Sequence, residues 1–333
     1  MPSSLAAAAP AVAAAALAAL VSAASIRALL ASPLAQRLLD RPNDRSLHVR
    51  PTPRAGGLGV LAGLAVAATA LRPDLPVGLW VALAVIATVS LVDDLRGLSA
   101  AVRLPVHLGA ATLAAAATLG DAPAAILAAS VLGLAWMVNL YNFMDGSDGL
   151  AGGQAVFGFG AMAVAALQAG EPDLAIVAAA AVGGAAGFLV FNLPPARIFM
   201  GDVGSTSLGL LAGGLGALGV ARGAWGPAFP VLAFLPFVLD ASLTLLDRLR
   251  RRRRVWQAHR EHAYQRLNLG GFGHRRTAAL YLALMAVSAS VALTSGRQDA
   301  GGSTAAVWTI ILVVLYGMAL RWRGAGTADP RSP

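Results

Sequence analysis

The stretch Asn139 to Gly153, NLYNFMDGSDGLAGG, sets two carboxylates, Asp145 and Asp148, and two amides, Asn139 and Asn142, between apolar runs long enough to cross a membrane. An acid at the centre of a spanning helix costs roughly 3 kcal/mol or more even on lenient insertion scales, so a pair beside a glycine-rich break points to chemistry. Three-residue spacing puts both acids on one face if the segment is helical, and Gly146 and Gly149 let backbone approach a ligand closely. A polar turn is the plainer alternative.

Other constellations surround this one. Asp93 and Asp94 stand at the C-terminal end of an apolar run, where acids oppose the helix dipole and call for a cation. A metal would supply it, and so would Arg96 and Arg103 as ordinary salt bridges. Asp202, within FNLPPARIFMGDVGSTSLG, precedes Gly204 and Ser205 at the start of a further span. Free backbone N–H groups beside an acid can hold a metal-bound phosphate there, and Asp202 can equally be the helix cap. His259 and His262 share a face at i,i+3 spacing, but no Glu or third His completes a zinc hydrolase pattern, so they read as phosphate donors or proton-handling groups. His107, beside Pro105, reads as a packing residue. The loop 41–57, RPNDRSLHVRPTPRAGG, suits a phosphate cradle ending in Gly56 and Gly57 or, more economically, a basic loop entering a helix.

A membrane domain must position these groups. With 57% hydrophobic and 12% charged residues in 333, and a mean hydropathy of +0.69, the chain fits an all-α polytopic membrane protein and not an ordinary soluble domain. Spans of about 20 apolar residues are predicted at about eleven places, near 5–30, 56–71, 77–92, 104–119, 124–143, 149–169, 173–192, 204–220, 228–247, 276–294 and 304–321, the second and third being short. Alanine and glycine crowd them, which favours close helix packing. The polar segment Asp247 to Arg276 is too short for a core of its own, so residues 1–333 form a single transmembrane domain. Its catalytic loops fall near 31–57, 93–103, 139–153, 192–209 and 247–276.

The net charge of +9 rests on arginine alone, since the sequence has no lysine. Loops after the odd-numbered spans hold Arg37, Arg41, Arg45, Arg50, Arg54, Arg96, Arg103, Arg197 and the run from Arg248 to Arg276, whereas the other side keeps Arg72, Arg222 and Arg297. The positive-inside rule then predicts an outside N-terminus and a cytoplasmic C-terminus carrying Arg321 and Arg323. Asp44, Asp93, Asp94, Asp145, Asp148, Asp202 and Glu261 all fall on the cytoplasmic side. Arg250 to Arg254 reads as a stop-transfer signal or a contact with anionic lipid heads. The first arginine is Arg27, so the N-terminal apolar run is expected to be a retained span and not a signal peptide. Without cysteine, any metal is held by oxygen or imidazole, and oxygen favours magnesium or manganese.

Taken in order, Asp93-Asp94, NLYNFMDGSDGL, FNLPPARIFMGDVGS and HREHAYQRL resemble the polyprenyl-phosphate N-acetylaminosugar-1-phosphate transferases, from about Asp44 to Leu267. The motifs around Asp145 and Asp202 carry most of the specificity. Eleven spans, an outside N-terminus and HREHAYQRL in place of a triple histidine resemble the O-antigen and common-antigen initiating branch more than the peptidoglycan enzyme. One departure is arginine in the first inner loop, where lysine is frequent in the family.

The resemblance implies that a phosphate oxygen of undecaprenyl phosphate attacks the β-phosphate of a UDP-N-acetylhexosamine, with UMP leaving, to start a lipid-linked glycan such as O-antigen. The donor could be a 6-deoxy sugar nucleotide such as UDP-FucNAc or UDP-QuiNAc. The implied setting is the cytoplasmic face of a bacterial inner membrane, with no nucleic-acid partner and with homodimerisation. The same resemblance puts Mg2+, with Mn2+ as a substitute, on Asp202, and has Asp93 with Asp94 orient or deprotonate the lipid phosphate. Asn142, Asp145 and Asn192 would complete the site, Asp148 and Phe199 would take the uracil, and His259, His262, Arg54 and Arg103 would hold the phosphates. A UDP-MurNAc-pentapeptide phosphotransferase is the nearest alternative. A secondary transporter, from a different class, would place ionisable residues near the midplane within inverted repeats, and no repeat is evident here.

Overall fold

The computed structural model describes residues 4–42, 47, 50–254, 259–295 and 302–321. Asp44, Arg45, Arg297 and Arg323 of the charge pattern lie outside the described residues. The chain runs α1 (Ser4–Leu30), α2 (Pro33–Arg37), β1 (Leu39–Asp40), β2 (Thr52–Pro53), α3 (Gly56–Leu71), α4 (Val77–Arg96), α5 (Ala100–Leu119), α6 (Ala124–Met144), α7 (Leu150–Ala169) and α8 (Pro172–Asn192). It continues with α9 (Asp202–Ala221), α10 (Ala228–Ala233), α11 (Leu235–Arg250), α12 (Ala263–Leu267), a π-turn over Asn268–Phe272, α13 (Gly273–Ser295) and α14 (Gly302–Arg321). The protein is an all-α polytopic membrane protein. β1 and β2 pair antiparallel over two residues each and form the one sheet among the described residues.

Nine helical segments among the described residues are long and apolar enough to cross a membrane. The difference from eleven has a local cause at each place. α3 is only 16 residues long. The run predicted at 228–247 is two helices meeting at Phe234, just before Pro236. Proline cannot donate to the preceding turn, and buried Gln154 on α7 donates through Nε2 to the Ala233 carbonyl at 3.0 Å. A side chain from a neighbouring helix thus satisfies backbone that a broken membrane helix exposes.

α7, α8 and α9 are the most enclosed spans, whereas α14 lies at the periphery. Close packing through small residues is visible where α1 crosses α8: a Cβ on Gly183 would strike the Ala15 carbonyl. α4 and α9 are joined inside the bundle by the hydroxyls of Ser90 and Thr206, 2.8 Å apart. The ends of α4, α6, α8 and α9, with the segments around Arg54 and His259, meet at one cavity.

Candidate active site

The start of α9 shows how the site is assembled. Acids at the C-terminal end of α4 oppose its dipole, and the N-terminus of α9 offers N–H groups with no intrahelical partner. The two ends meet. Asp94 accepts the N–H of Asp202 at 3.1 Å and that of Val203 at 3.0 Å, capping α9 from another helix. Gly201 makes the approach possible, with φ 77° and a Cβ position 2.9 Å from both the Arg54 carbonyl and Asp94 Oδ2. Arginines stand beside both Asp93 and Asp94. Arg103 Nη1 stands 2.9 Å from Asp93 Oδ2 and 3.1 Å from Asp202 Oδ2. Arg54 donates to the Asp94 carbonyl at 2.9 Å, and its Nε lies 3.9 Å from Asp94 Oδ1.

The backbone around Arg54 is fixed by the segment before α9. Phe199 N–H donates to the Pro53 carbonyl, and the N–H groups of Gly56 and Gly57 donate to Phe199 and Met200, all at 2.8 Å. Those two glycine amides are therefore engaged by protein and not open to a phosphate, whereas Arg54 of the same loop lines the cavity.

A cavity of about 450 Å3 opens between these segments. Arg54, Asp145, Asp148, Asn192, Phe199, Asp202 and His259 line it, joined by Ser147, Tyr264, Gln265 and His274. A larger cavity of about 510 Å3 between α13 and α14 is almost wholly apolar and holds no carboxylate, so the polar one is the candidate site. Asp93, Asp94, Asn142, Arg103 and His262 stand just behind the lining. Asn142 donates to Ser205 Oγ at 3.1 Å, one turn from Asp202.

Asp145 follows the last residue of α6 and is half-buried. Crowding by protein atoms, then the negative charges of Asp202 and Asp94, push its carboxyl well above the usual range. Asp148 accepts the Ala196 N–H at 3.0 Å and lies 3.4 Å from His274 Nδ1. Asn192 bridges two segments, accepting from Gly149 N–H and donating to the Ile198 carbonyl, both at 2.8 Å. The rings of His259 and His262 are 4.9 Å apart. Desolvation, then the neighbouring His262 and Arg248, push His259 down to about 4, so its ring is neutral at neutral pH and acts as a hydrogen-bonding group.

Two residues of this neighbourhood, Asp240 and His274, carry no motif in the sequence, and two more, Tyr264 and Gln265, lie within HREHAYQRL without a role assigned to them there. For Asp240 a signal exists, since it is an acid inside an apolar run. For His274 the position comes only from folding: it reaches the Leu47 carbonyl at 3.2 Å and Ser147 Oγ at 3.2 Å from the start of α13.

Among the described residues, no group of three or more His, Asp or Glu side chains forms a metal cage. The carboxylates of Asp145 and Asp202 do share the cavity. One or two carboxylates are what magnesium ordinarily takes from protein, the remaining positions going to substrate phosphates and water.

Residues 76–219 match the family described as Glycosyl transferase family 4. The chain is 30% identical over 287 residues, 70% of its length and 71% of the relative's, to the "Decaprenyl-phosphate N-acetylglucosaminephosphotransferase" of Mycobacterium leprae. It is 28% identical over 247 residues, 69% of each chain, to the "Probable undecaprenyl-phosphate N-acetylglucosaminyl 1-phosphate transferase" of Bacillus subtilis. A shorter stretch of 71 residues, 21% of this chain and 22% of the relative, is 54% identical to the "Phospho-N-acetylmuramoyl-pentapeptide-transferase" of Anoxybacillus flavithermus.

Proposed function

This chain belongs to glycosyl transferase family 4, the polyprenyl-phosphate N-acetylaminosugar-1-phosphate transferases, and from that premise we propose that it transfers an N-acetylhexosamine 1-phosphate from a UDP-sugar to undecaprenyl phosphate, releasing UMP. The observation that carries the reading is the shared cavity. Carboxylates, an arginine and a neutral imidazole face one space of about 450 Å3 at the ends of apolar helices, large enough for a nucleotide sugar and adjacent to lipid.

A phosphate oxygen of the lipid attacks the phosphorus bonded to the sugar oxygen, the bond to the bridging oxygen of UMP breaks, and UMP leaves with that oxygen. Such a transfer asks mainly for positioning and charge neutralisation. Asp93 holds Arg103 in place, and Arg103 meets the lipid phosphate; a phosphate monoester with a second pKa near 6 is already largely anionic at neutral pH, so little base strength is required. Arg54 and His259 face the pyrophosphate. Asp148, Asn192 and Phe199 take the uridine end, Phe199 by stacking on the base.

The residues fit magnesium, and Asp202 and Asp145 would hold it. Burial first, and then the negative charges of Asp202 and Asp94, raise the Asp145 carboxyl, and a dication would offset the second of these. When bound, it would supply charge neutralisation for the pyrophosphate. The arginine-rich loops orient the cavity to the cytoplasm, and the product starts a lipid-linked cell-envelope glycan such as O-antigen. The match to a muramoyl-pentapeptide transferase favours a second donor, UDP-MurNAc-pentapeptide.

The test is UMP release by the purified protein in lipid with undecaprenyl phosphate and, in turn, UDP-GlcNAc, UDP-FucNAc, UDP-QuiNAc and UDP-MurNAc-pentapeptide, each with magnesium, with manganese and with EDTA. Release from an N-acetylhexosamine donor that EDTA abolishes is expected. Selective use of the pentapeptide donor overturns the choice of sugar, and no release from any donor by folded protein overturns the reaction.

A further inference from the structure

Asp240 sits in the middle of α11 with 1% of its surface exposed, outside the cavity and outside every sequence motif. A carboxylate at such depth persists only where several donors converge on it. Four do. Oδ1 accepts the Ala263 N–H at 2.8 Å and the Thr244 hydroxyl at 3.2 Å, while Oδ2 accepts the Tyr264 N–H at 3.1 Å and the Tyr281 hydroxyl at 2.5 Å. His262 Nδ1 lies 3.5 Å from Oδ1.

Two of the donors are the first amides of α12, a helix of five residues. Isolated helices shorter than about 12 residues are marginal, so α12 holds its shape through outside partners. It also forms one wall of the site. Tyr264 and Gln265 line the cavity. The Tyr264 hydroxyl donates to the Phe143 carbonyl at 3.1 Å and lies against Gly146, within the turn that presents Asp145 and Asp148. Immediately before α12, His262 stacks on Tyr264 at 5.8 Å and packs beside His259. One carboxylate therefore ties α11, α12 and α13 together beneath both histidines.

We propose that Asp240 is a positioning residue for phosphoryl transfer, fixing the segment His259 to Gln265 against the phosphate end of the cavity, with Tyr281 as its partner. The proposal rests on the transferase reading. It assigns Asp240 no contact with substrate: without it the donor still binds through Asp148, Asn192 and Phe199, but the histidines and Tyr264 lose register with the phosphates.

The experiment compares Asp240→Asn, Asp240→Glu and Tyr281→Phe with wild type in steady-state UMP release and in amide hydrogen exchange. Asp240→Asn keeps the shape and removes the charge that gathers these donors. A kcat reduced about tenfold or more, as for one lost charge-assisted hydrogen bond, is expected with KM for the UDP-sugar within about threefold. Exchange should quicken in peptides covering 259–267 and stay unchanged in α7, α8 and α9. Asp240→Glu, which restores the carboxylate, should recover a substantial part of kcat. A wild-type kcat in Asp240→Asn, or unchanged exchange at 259–267, overturns the proposal, as does a loss spread over the whole exchange map. Should Asp240→Asn fail to yield monodisperse protein, Tyr281→Phe decides: a lower kcat with faster local exchange supports the proposal, and no change in either overturns it. Exchange is read without substrates, so it stands apart from failure of the transferase reading, which would appear as no UMP release by wild type.

Discussion

Asp94 accepts the backbone N–H of Asp202 at 3.1 Å, so the acid that faces the cavity is held by an acid on another helix. The two play different physical parts, and isosteric substitution should separate them. Asp94→Asn leaves the amides of Asp202 and Val203 facing a weaker acceptor. A lost cap costs about 0.5–2 kcal/mol, so a melting temperature lower by a few degrees is expected, with activity falling alongside. Asp202→Asn removes one charge from a group of like charges, so its melting temperature should match or exceed wild type while UMP release falls by about 100-fold or more. Thermal melts beside UMP-release assays make the comparison. Equal thermal losses in the two variants would sink the distinction.

Arg103 joins α5 to α4 and α9 through a single nitrogen shared by Asp93 and Asp202. Its side chain is 34% exposed, so these ion pairs add little to stability. On the proposed reading, they aim the guanidinium at the lipid phosphate. Arg103→Ala should therefore melt close to wild type yet lose about 100-fold in kcat/KM for undecaprenyl phosphate. Arg103→Lys keeps the charge without the planar fork and should fall between them, about tenfold down. An alanine variant with normal kcat/KM would remove Arg103 from the site.

The membrane makes much of this fold legible, because crossing it demands long apolar runs and leaves polar residues conspicuous. Asp145, Asp148 and Asp202 stand out in the sequence for that reason, and they do meet in one cavity. What the sequence hides is set by tertiary contact. The break at Phe234 leaves the Ala233 carbonyl to Gln154, 79 positions earlier in the chain, which no local pattern indicates. Asp94 reads as an acid in search of a cation, yet its oxygens serve α9 amides more than 100 positions on. Asp240 is an acid within a span, but its meaning comes from backbone N–H groups on α12, which no spacing rule indicates.

His259 carries the expected pH dependence. Its pKa falls from the ordinary 6.5 to about 4 in the folded protein, first through desolvation and then through His262 and Arg248. Between those values the unfolded chain binds a proton that the folded chain does not, so this group lowers stability as pH falls from 6.5 towards 4 and has no effect above that window. His259→Gln removes the contribution. Wild type should lose more melting temperature between pH 7 and pH 5 than the variant does, measured in the same detergent. Parallel losses would place the folded pKa of His259 near its ordinary value.

Gly57 and Gly133 give opposite expectations for the same change to alanine. A Cβ on Gly57 would strike the backbone of Gly204 in the first turn of α9 and reach 2.9 Å from the Met200 carbonyl. Neither contact is the end of a flexible side chain, so α3 and α9 must move apart, which disturbs Asp202 and the Arg54 segment together. Overpacking of this kind costs typically about 1–3 kcal/mol or more, and Gly57→Ala should both melt lower and lose UMP release. Gly133 is exposed in the middle of α6, and a Cβ there meets nothing within 4 Å. Alanine is favoured over glycine by about 1 kcal/mol in a helix interior, so Gly133→Ala should melt at or slightly above wild type with full activity. A tolerated Gly57→Ala would show that α3 and α9 approach less closely than this geometry requires.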